Sequence, residues 1–196
     1  MDSLKLEFRE PIRKEIINGK IYLMAGTSTA HGRVVSNLIS IFHNYLRGKK
    51  CRVFGENISV EFDENNEVLP DIKIICDPNK IKKNGIEGAP DFIAEILSPR
   101  TRTKDMTEKK DLYEKYGVKE YWIIDIDRKT IEAYILKNDK FNLNYTYTRF
   151  DEYDIKEIRD IGTEEEKEML KVTTIKTSLF GDDLIINIAD IFENID

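Results

Sequence analysis

Asp91-Phe92-Ile93-Ala94-Glu95-Ile96-Leu97 and Leu69-Pro70-Asp71-Ile72-Lys73-Ile74-Ile75 are two apolar runs, each interrupted by carboxylates. Both read as buried strand, and an ionised group buried without a partner costs several kcal/mol, so such carboxylates meet a cation, a metal or a hydrogen-bond network. Alternate residues of a strand share a face, which sets Asp71 with Lys73 and Ile75, and Glu95 with Asp91, Ile93 and Leu97. If the two strands are neighbours, Asp71 and Glu95 converge. Paired carboxylates suit Mg²⁺ or Mn²⁺, hard cations that take oxygen ligands and keep several waters. Asp91 is read as a bystander at the strand edge.

Outward from these runs, Ser98-Pro99 ends the second strand, because proline cannot continue a central ladder. From Thr101 or Thr103 to Tyr116 the spacing becomes helical, with Met106, Lys109, Tyr113 and Tyr116 on one stripe, Leu112 beside it and Gly117 as the stop. A lysine on that stripe points at the sheet. Lys109 is therefore the candidate catalytic cation beside Asp71 and Glu95, able to orient or deprotonate water and to stabilise charge on phosphorus. Its plainer role is an i,i+4 ion pair with Asp105.

Upstream, Asn18-Gly19 between apolar arms signals a β-hairpin over residues 14–25. Thr27-Ser28-Thr29 can cap a following helix over residues 30–48, starting near His31, in which Val34, Val35, Leu38, Ile41, Phe42 and Leu46 recur at helical spacing. Short strands follow at Arg52–Phe54 and Ile58–Phe62, then a turn at Asp63–Asn66 and one strand from Val68 to Cys76. Their close order implies antiparallel neighbours. Residues 77–90 read as a polar loop. Downstream, Glu120–Asp125, Thr130–Leu136 and the alternation of Phe141, Leu143, Tyr145 and Tyr147 predict further antiparallel strands. Residues 151–171, with Glu164-Glu165-Glu166, read as a charged, mobile loop or a short exposed helix, and the tail ends in a short helix around Ile188, Ile191 and Phe192.

The 196 residues suffice for one domain, residues 1–196, with a sizeable core. With 31 Lys plus Arg against 37 Asp plus Glu, the net charge is -6, which does not by itself advertise nucleic acid. Yet Lys80, Lys82, Lys83, Arg100, Arg102 and Lys104 bracket the acidic strands, and Arg100, Arg102 and Lys104 are candidates for contact with a phosphate backbone. A solvated face is the alternative. Cys51 and Cys76 form no CxxC pair and have no histidine at zinc spacing, so two reduced thiols are expected. The N-terminal stretch Met1–Glu7 lacks a basic start followed by an apolar segment, and no run approaches a membrane span, so a cytoplasmic location without membrane contact is expected.

Pro70-Asp71, Gly88-Ala89-Pro90-Asp91 leading to Glu95-Ile96-Leu97-Ser98-Pro99, Asp105 and Lys109 with Tyr113, and Gly117-Val118-Lys119-Glu120-Tyr121-Trp122 together resemble the Uma2 family, also known as DUF820, of the PD-(D/E)XK restriction-endonuclease-like nucleases. Asn18-Gly19 and His31 are similar to the family pattern too. The resemblance covers roughly residues 12–136. It implies an α/β (α+β) fold with a restriction-endonuclease-like core, a mixed four-stranded sheet flanked by helices, to which the N-terminal hairpin and additional antiparallel strands are added. It also implies a metal site of Asp71 and Glu95 and a Mg²⁺-dependent (or Mn²⁺-dependent) endonuclease acting on DNA. Leu97 stands where the superfamily signature has a lysine, and the family pattern moves that role to Lys109. His31 and Glu15 are supporting candidates; Glu15 either reaches the metal or faces solvent. The rival reading is a catalytically weak or inactive nucleic-acid or protein-binding module on the same fold, and hydrolysis of a small phosphoester is a third. A homodimer is expected if both strands of a duplex are cut.

Overall fold

The computed structural model describes residues 13–24 and 26–195, so the sequence reading of Met1–Glu7 lies outside the described residues. Asn18 and Gly19 both adopt positive φ, 51° and 75°, as the two-residue turn of a twisted hairpin requires, and join β1 (Lys14–Ile17) to β2 (Lys20–Leu23). Ser28 then caps α1 (Thr29–Leu46), accepting a hydrogen bond from the His31 amide. Because that cap satisfies an otherwise orphaned donor, Ser28→Ala is expected to cost about 1 kcal/mol, a fall of roughly 2–4 °C in the thermal unfolding midpoint; an unchanged midpoint would deny the cap its role.

After α1 the chain lays down β3 (Arg52–Phe54), β4 (Ser59–Asp63), β5 (Asn66–Val68), β6 (Ile72–Ile75), β7 (Gly85–Glu87) and β8 (Phe92–Ile96). A helical stretch follows: α2 (Arg102–Lys104), a π-helical turn (Asp105–Lys109) and α3 (Lys110–Lys115). Then come β9 (Glu120–Asp125), β10 (Thr130–Lys137), β11 (Lys140–Thr148), α4 (Glu152–Ile161), α5 (Glu164–Met169), β12 (Thr174–Lys176), β13 (Ile185–Asn187) and α6 (Ile188–Ile191).

The central sheet has six strands in the order β11-β10-β9-β8-β6-β3, antiparallel except for the parallel β8–β9 pair, where the 102–115 helical stretch makes the crossover. A second sheet runs β2-β1-β5-β4-β7, and β12-β13 form a small ribbon. The architecture is a mixed α+β fold of the restriction-endonuclease-like kind, its central sheet larger than the four strands expected.

Period two along β8 divides the core. Phe92, Ala94 and Ile96 pack with Val34, Leu38 and Phe42 of α1, with Trp122 and with the chain's tail. Phe92 meets the Phe42 and Trp122 rings edge-on at 5.2 and 5.1 Å. Ile93 faces the other way, into a cluster with Leu112 and Tyr113 of α3 and with Ile17, Val60 and Val68 of the second sheet. Glu95 shares that second face, so the sheet itself carries its carboxylate into a dry layer between α3 and β1.

Several sequence expectations are overturned. The single strand from Val68 to Cys76 is two strands in different sheets; Pro70-Asp71 is the crossing between β5 and β6, so Asp71 precedes its strand. Pro70 lacks the backbone donor a central ladder needs, so the strand cannot continue in register through it. Cys51 and Cys76 are bonded as a disulfide rather than held as free thiols. Arg52 pairs with Ile75, so the antiparallel register sets residue 51 opposite residue 76, a proximity no spacing in the chain announces. Residues 151–171 take the exposed-helix alternative, as two helices, and not the mobile loop, because Asp151 with Asp154 and Thr163 with Glu166 each form a reciprocal capping box, and acidic first turns oppose the helix dipole.

Candidate active site

β6 and β8 pair with Ile72 opposite Ala94, and one step further that register sets Asp71 opposite Glu95. Asp71 Oδ2 accepts a 2.8 Å hydrogen bond from the Ile96 amide, and the Asp71 amide lies 3.4 Å from Glu95 Oε2. Each carboxylate is thus held beside a backbone amide of the other's segment, Asp71 at Ile96 and Glu95 at Asp71, at the end of the strand pair.

Behind Glu95 lies Lys109, which is 2% exposed. Its Nζ is 2.9 Å from Glu95 Oε1, 2.8 Å from Glu15 Oε1 and 3.6 Å from Asp105 Oδ1. The π-helical turn brings Asp105 and Lys109 inward together and leaves Met106 exposed, so the stripe is Asp105, Lys109 and Tyr113 and excludes Met106. One extra residue in a turn rotates its side chains relative to a regular helix, and such turns recur at functional sites. Tyr113 donates a 2.6 Å hydrogen bond to the same Glu95 oxygen, and Tyr121 donates to the Asp105 carbonyl at 2.9 Å.

Glu15 neither faces solvent nor shares the Asp71 pocket. It is fully buried on β1, paired to Lys109 and to Lys104, and accepts a hydrogen bond from the Leu69 amide at 3.1 Å. His31 stands at the start of α1, its Nε2 3.2 Å from Asp71 Oδ2. Its Nδ1 is 3.3 Å from Glu56 Oε1.

Of the basic candidates, Arg102 is paired with Asp125 and Lys104 with Glu15, while Arg100 lines the cleft and alone of the three forms no ion pair with a described residue. Lys80 donates to the Ala89 carbonyl, and Lys82 pairs with Glu87. Asp91 accepts from the Cys76 amide and from Lys119, each at 2.7 Å, a structural role apart from the cluster.

The electrostatics follow from crowding. Burial pushes the Glu95 carboxyl up to about 8, against the pull of Lys109, with repulsion from Asp71, Asp105 and Glu15 adding to the rise. Burial likewise raises Asp105. Lys109 itself loses by burial but is held well above the ordinary lysine value by Glu95, Glu15 and Asp105. One cation shared among three acids is over-satisfied while Glu95 and Asp105 are under-satisfied. Glu15 is the exception: burial pushes it up, yet Lys109 and Lys104 together bring it below its usual range. For His31 the cost of burial is outweighed by Asp71 and Glu56, which raise it.

Two participants escape sequence reasoning. Lys73 is fully buried, its Nζ 2.9 Å from the Pro70 carbonyl and its pKa pulled by burial to about 8. Its place in Ile72-Lys73-Ile74-Ile75 carries the same burial anomaly that marks Asp71. Glu56 lies in the turn between β3 and β4, amid polar neighbours, with no such signal.

The cluster opens on a cleft of about 570 Å³ lined by Tyr22, Leu23, His31, Asp71, Glu95 and Arg100 among others. A cleft of about 600 Å³ beside α4 is slightly larger, but its Asp127, Arg128 and Glu157 are exposed and converge on nothing. Chemistry, not volume, selects the former. The donor set fits a divalent cation. Buried acids exceed the cations that face them, Asp105 Oδ1 has no hydrogen-bond partner, and His31, Glu56 and Asp71 each offer a donor atom within 4.8 Å of the others.

Comparisons with known proteins agree with this architecture. The protein is similar to two uncharacterized proteins of Synechocystis sp. (strain ATCC 27184 / PCC 6803 / Kazusa). One, slr1290, is 27% identical over 159 residues, covering 80% of this chain and 84% of the relative; the other, sll1609, is 26% identical over 143 residues, covering 71% and 81%. A crystal structure described as "a putative nuclease belonging to DUF820", from Anabaena variabilis ATCC 29413, superposes with a TM-score of 0.67 at 22% identity, covering 91% of this chain and 89% of that one, a likeness of fold. The model of a family described as "Putative restriction endonuclease" matches residues 2–160, and the chain belongs to that family, Uma2.

Proposed function

We propose that this protein is a Mg²⁺- or Mn²⁺-dependent endonuclease that hydrolyses phosphodiester bonds in DNA. The observation that carries the reading is the meeting of Asp71 and Glu95 at the floor of an open cleft, with Lys109 Nζ 2.9 Å from Glu95. Asp71 and Glu95 would hold the ion, with His31 in support. When bound, such an ion supplies Lewis-acid stabilisation of the phosphoryl oxygens and a more acidic water.

The chain's own groups have separable tasks. Lys109 stays protonated, so it serves as a fixed positive charge that orients Glu95 rather than as a base. Tyr113 holds the same carboxylate from a second direction, and the Ile96 amide holds Asp71. Preorganised charge of this kind needs no rearrangement when charge develops on the phosphate. Arg100, at the cleft, is the basic residue best placed for the DNA backbone, because Arg102 and Lys104 are already engaged within the protein. That engagement also favours the second reading, a nucleic-acid or protein-binding module with little turnover.

Plasmid and oligonucleotide cleavage with Mg²⁺, with Mn²⁺ and with chelator, on wild type, Asp71→Ala and Glu95→Ala, decides between them. Metal-dependent nicking that both substitutions abolish is expected. Cleavage unchanged in both variants rules out the mechanism, and the absence of cleavage in wild type with DNA binding retained supports the module. Sedimentation of the protein on an uncut duplex reports whether two copies act together on the two strands.

A further inference from the structure

We infer that Glu56 is a positioning residue that fixes His31 as a nitrogen ligand of the site, so that the site takes Mn²⁺ in preference to Mg²⁺. The inference rests on the metal-dependent reading of Asp71 and Glu95 and extends it to the identity of the ion.

His31 is 5% exposed, and its two ring nitrogens face two different carboxylates. On one side Nε2 lies 3.2 Å from Asp71 Oδ2. Two donors that share one ion at roughly 2.1 Å each, at angles between square and tetrahedral, stand about 3.0–3.4 Å apart. The Nε2–Oδ2 separation is therefore that of two ligands of one ion as well as that of a hydrogen bond. Asp71 Oδ2 already accepts from the Ile96 amide at 2.8 Å, so its orientation does not depend on the histidine.

On the other side Nδ1 faces Glu56 Oε1 at 3.3 Å, and neither atom has an aligned hydrogen-bond partner among the described residues. A neutral imidazole carries one proton. With that proton on Nδ1, the Nε2 lone pair is directed at Asp71; with it on Nε2, the ring cannot ligate there. A carboxylate behind a histidine is the usual device for choosing the first arrangement, and losing it weakens metal binding by about 10–100-fold.

The fold brings Glu56 to this post from a separate element. It sits in the Gly55-Glu56-Asn57 turn after β3, where Asn57 adopts φ 69°, and the turn lies so close to α1 that a Cβ on Gly55 would come within 2.5 Å of Ile39 Cδ1. A nitrogen donor among carboxylates changes which ion is preferred. Mg²⁺ takes oxygen and dehydrates reluctantly, whereas Mn²⁺, though the weakest binder of the divalent first-row series, gives up water for an imidazole nitrogen more readily than Mg²⁺ does.

Calorimetric titration of the full-length protein with MnCl₂ and with MgCl₂ tests this on wild type, Glu56→Ala, Glu56→Gln, His31→Gln and Asp71→Ala, together with spin-echo detection of ¹⁴N coupling on bound Mn²⁺. Wild type is expected to bind Mn²⁺ more tightly than Mg²⁺, with ¹⁴N coupling that His31→Gln removes. Glu56→Ala should lower Mn²⁺ affinity about 10–100-fold, and Mg²⁺ affinity by less than about threefold. Glu56→Gln, which preserves shape and an acceptor oxygen, should recover part of the loss. Circular dichroism of each metal-free variant confirms that the fold is kept. A role for Glu56 that is merely structural would lower both affinities equally, and that result, the absence of ¹⁴N coupling, or an unchanged Mn²⁺ affinity in Glu56→Ala would overturn the inference. Mn²⁺ binding as described with no DNA cleaved sinks the nuclease reading alone; cleavage that needs Asp71 with Mn²⁺ affinity indifferent to Glu56 sinks this inference alone.

Discussion

Exchanging Glu95 for glutamine is expected to reduce metal-dependent cleavage by about a thousandfold, roughly 4 kcal/mol of transition-state stabilisation, while leaving the protein folded. Glutamine keeps the shape of the side chain, and its one oxygen can still accept from Tyr113 and Lys109, the two donors on Glu95 Oε1. What it loses is the negative charge an ion needs. The same substitution has a pH signature in chelator. The Glu95 carboxyl is raised by burial from 4.5 to about 8 in the folded chain, so between these values the folded state binds a proton that the unfolded state has released. Stability present below about 4.5 is therefore lost as pH rises through about 8. Glu95→Gln lacks this loss, and the gap between its unfolding midpoint and that of wild type should shift in its favour as pH increases over this window. Parallel midpoint–pH curves for the two proteins would refute the buried acid, and undiminished cleavage would remove Glu95 from the site.

Lys109→Met has a different character, because it breaks a buried network by taking away its cation. Glu15, Glu95 and Asp105 all look to this one amine, and all are buried. Removing one partner of a buried pair leaves uncompensated charge and costs about 3–5 kcal/mol. Set against a total stability of roughly 5–15 kcal/mol, that is a loss on the order of 10 °C in the unfolding midpoint for a chain of this length. Above about pH 8, where the buried Glu95 carboxyl is ionised, neutralising it at the same time should recover much of the loss, so the double variant Lys109→Met with Glu95→Gln is expected to melt above Lys109→Met alone there. Scanning calorimetry of the single and double variants measures this. Additive losses would mean that Lys109 and Glu95 are not coupled, contrary to their 2.9 Å contact.

The two surfaces of the site were unequally legible. Asp71 and Glu95 stand out because a carboxylate in an apolar run violates burial, and that violation is local. Lys109 stands out because helical periodicity points it inward. Regular helical spacing puts Met106 on the same stripe, but the π-helical turn from Asp105 to Lys109 adds a residue to the period and turns Met106 outward. Lys73 carried the same anomaly as Asp71, in plain view between isoleucines. Glu56, half-buried, carried none, since its approach to His31 arises from α1 and the β3–β4 turn coming together, and nothing in Gly55-Glu56-Asn57 anticipates that.

Local chemistry in the chain determined the hairpin at Asn18-Gly19, the cap at Ser28, the helix stop at Gly117, the strand faces of β8 and the identity of the paired acids, because each depends on backbone preferences or periodicities of a few residues. Tertiary structure alone decided that β5 and β6 part into different sheets at Pro70-Asp71, that Cys51 meets Cys76, that Glu15 serves Lys109, and that Glu56 stands behind His31. Those contacts join residues 25 to 94 positions apart, and their existence rests on sheet register and helix docking, which only the simultaneous burial of both core faces can select.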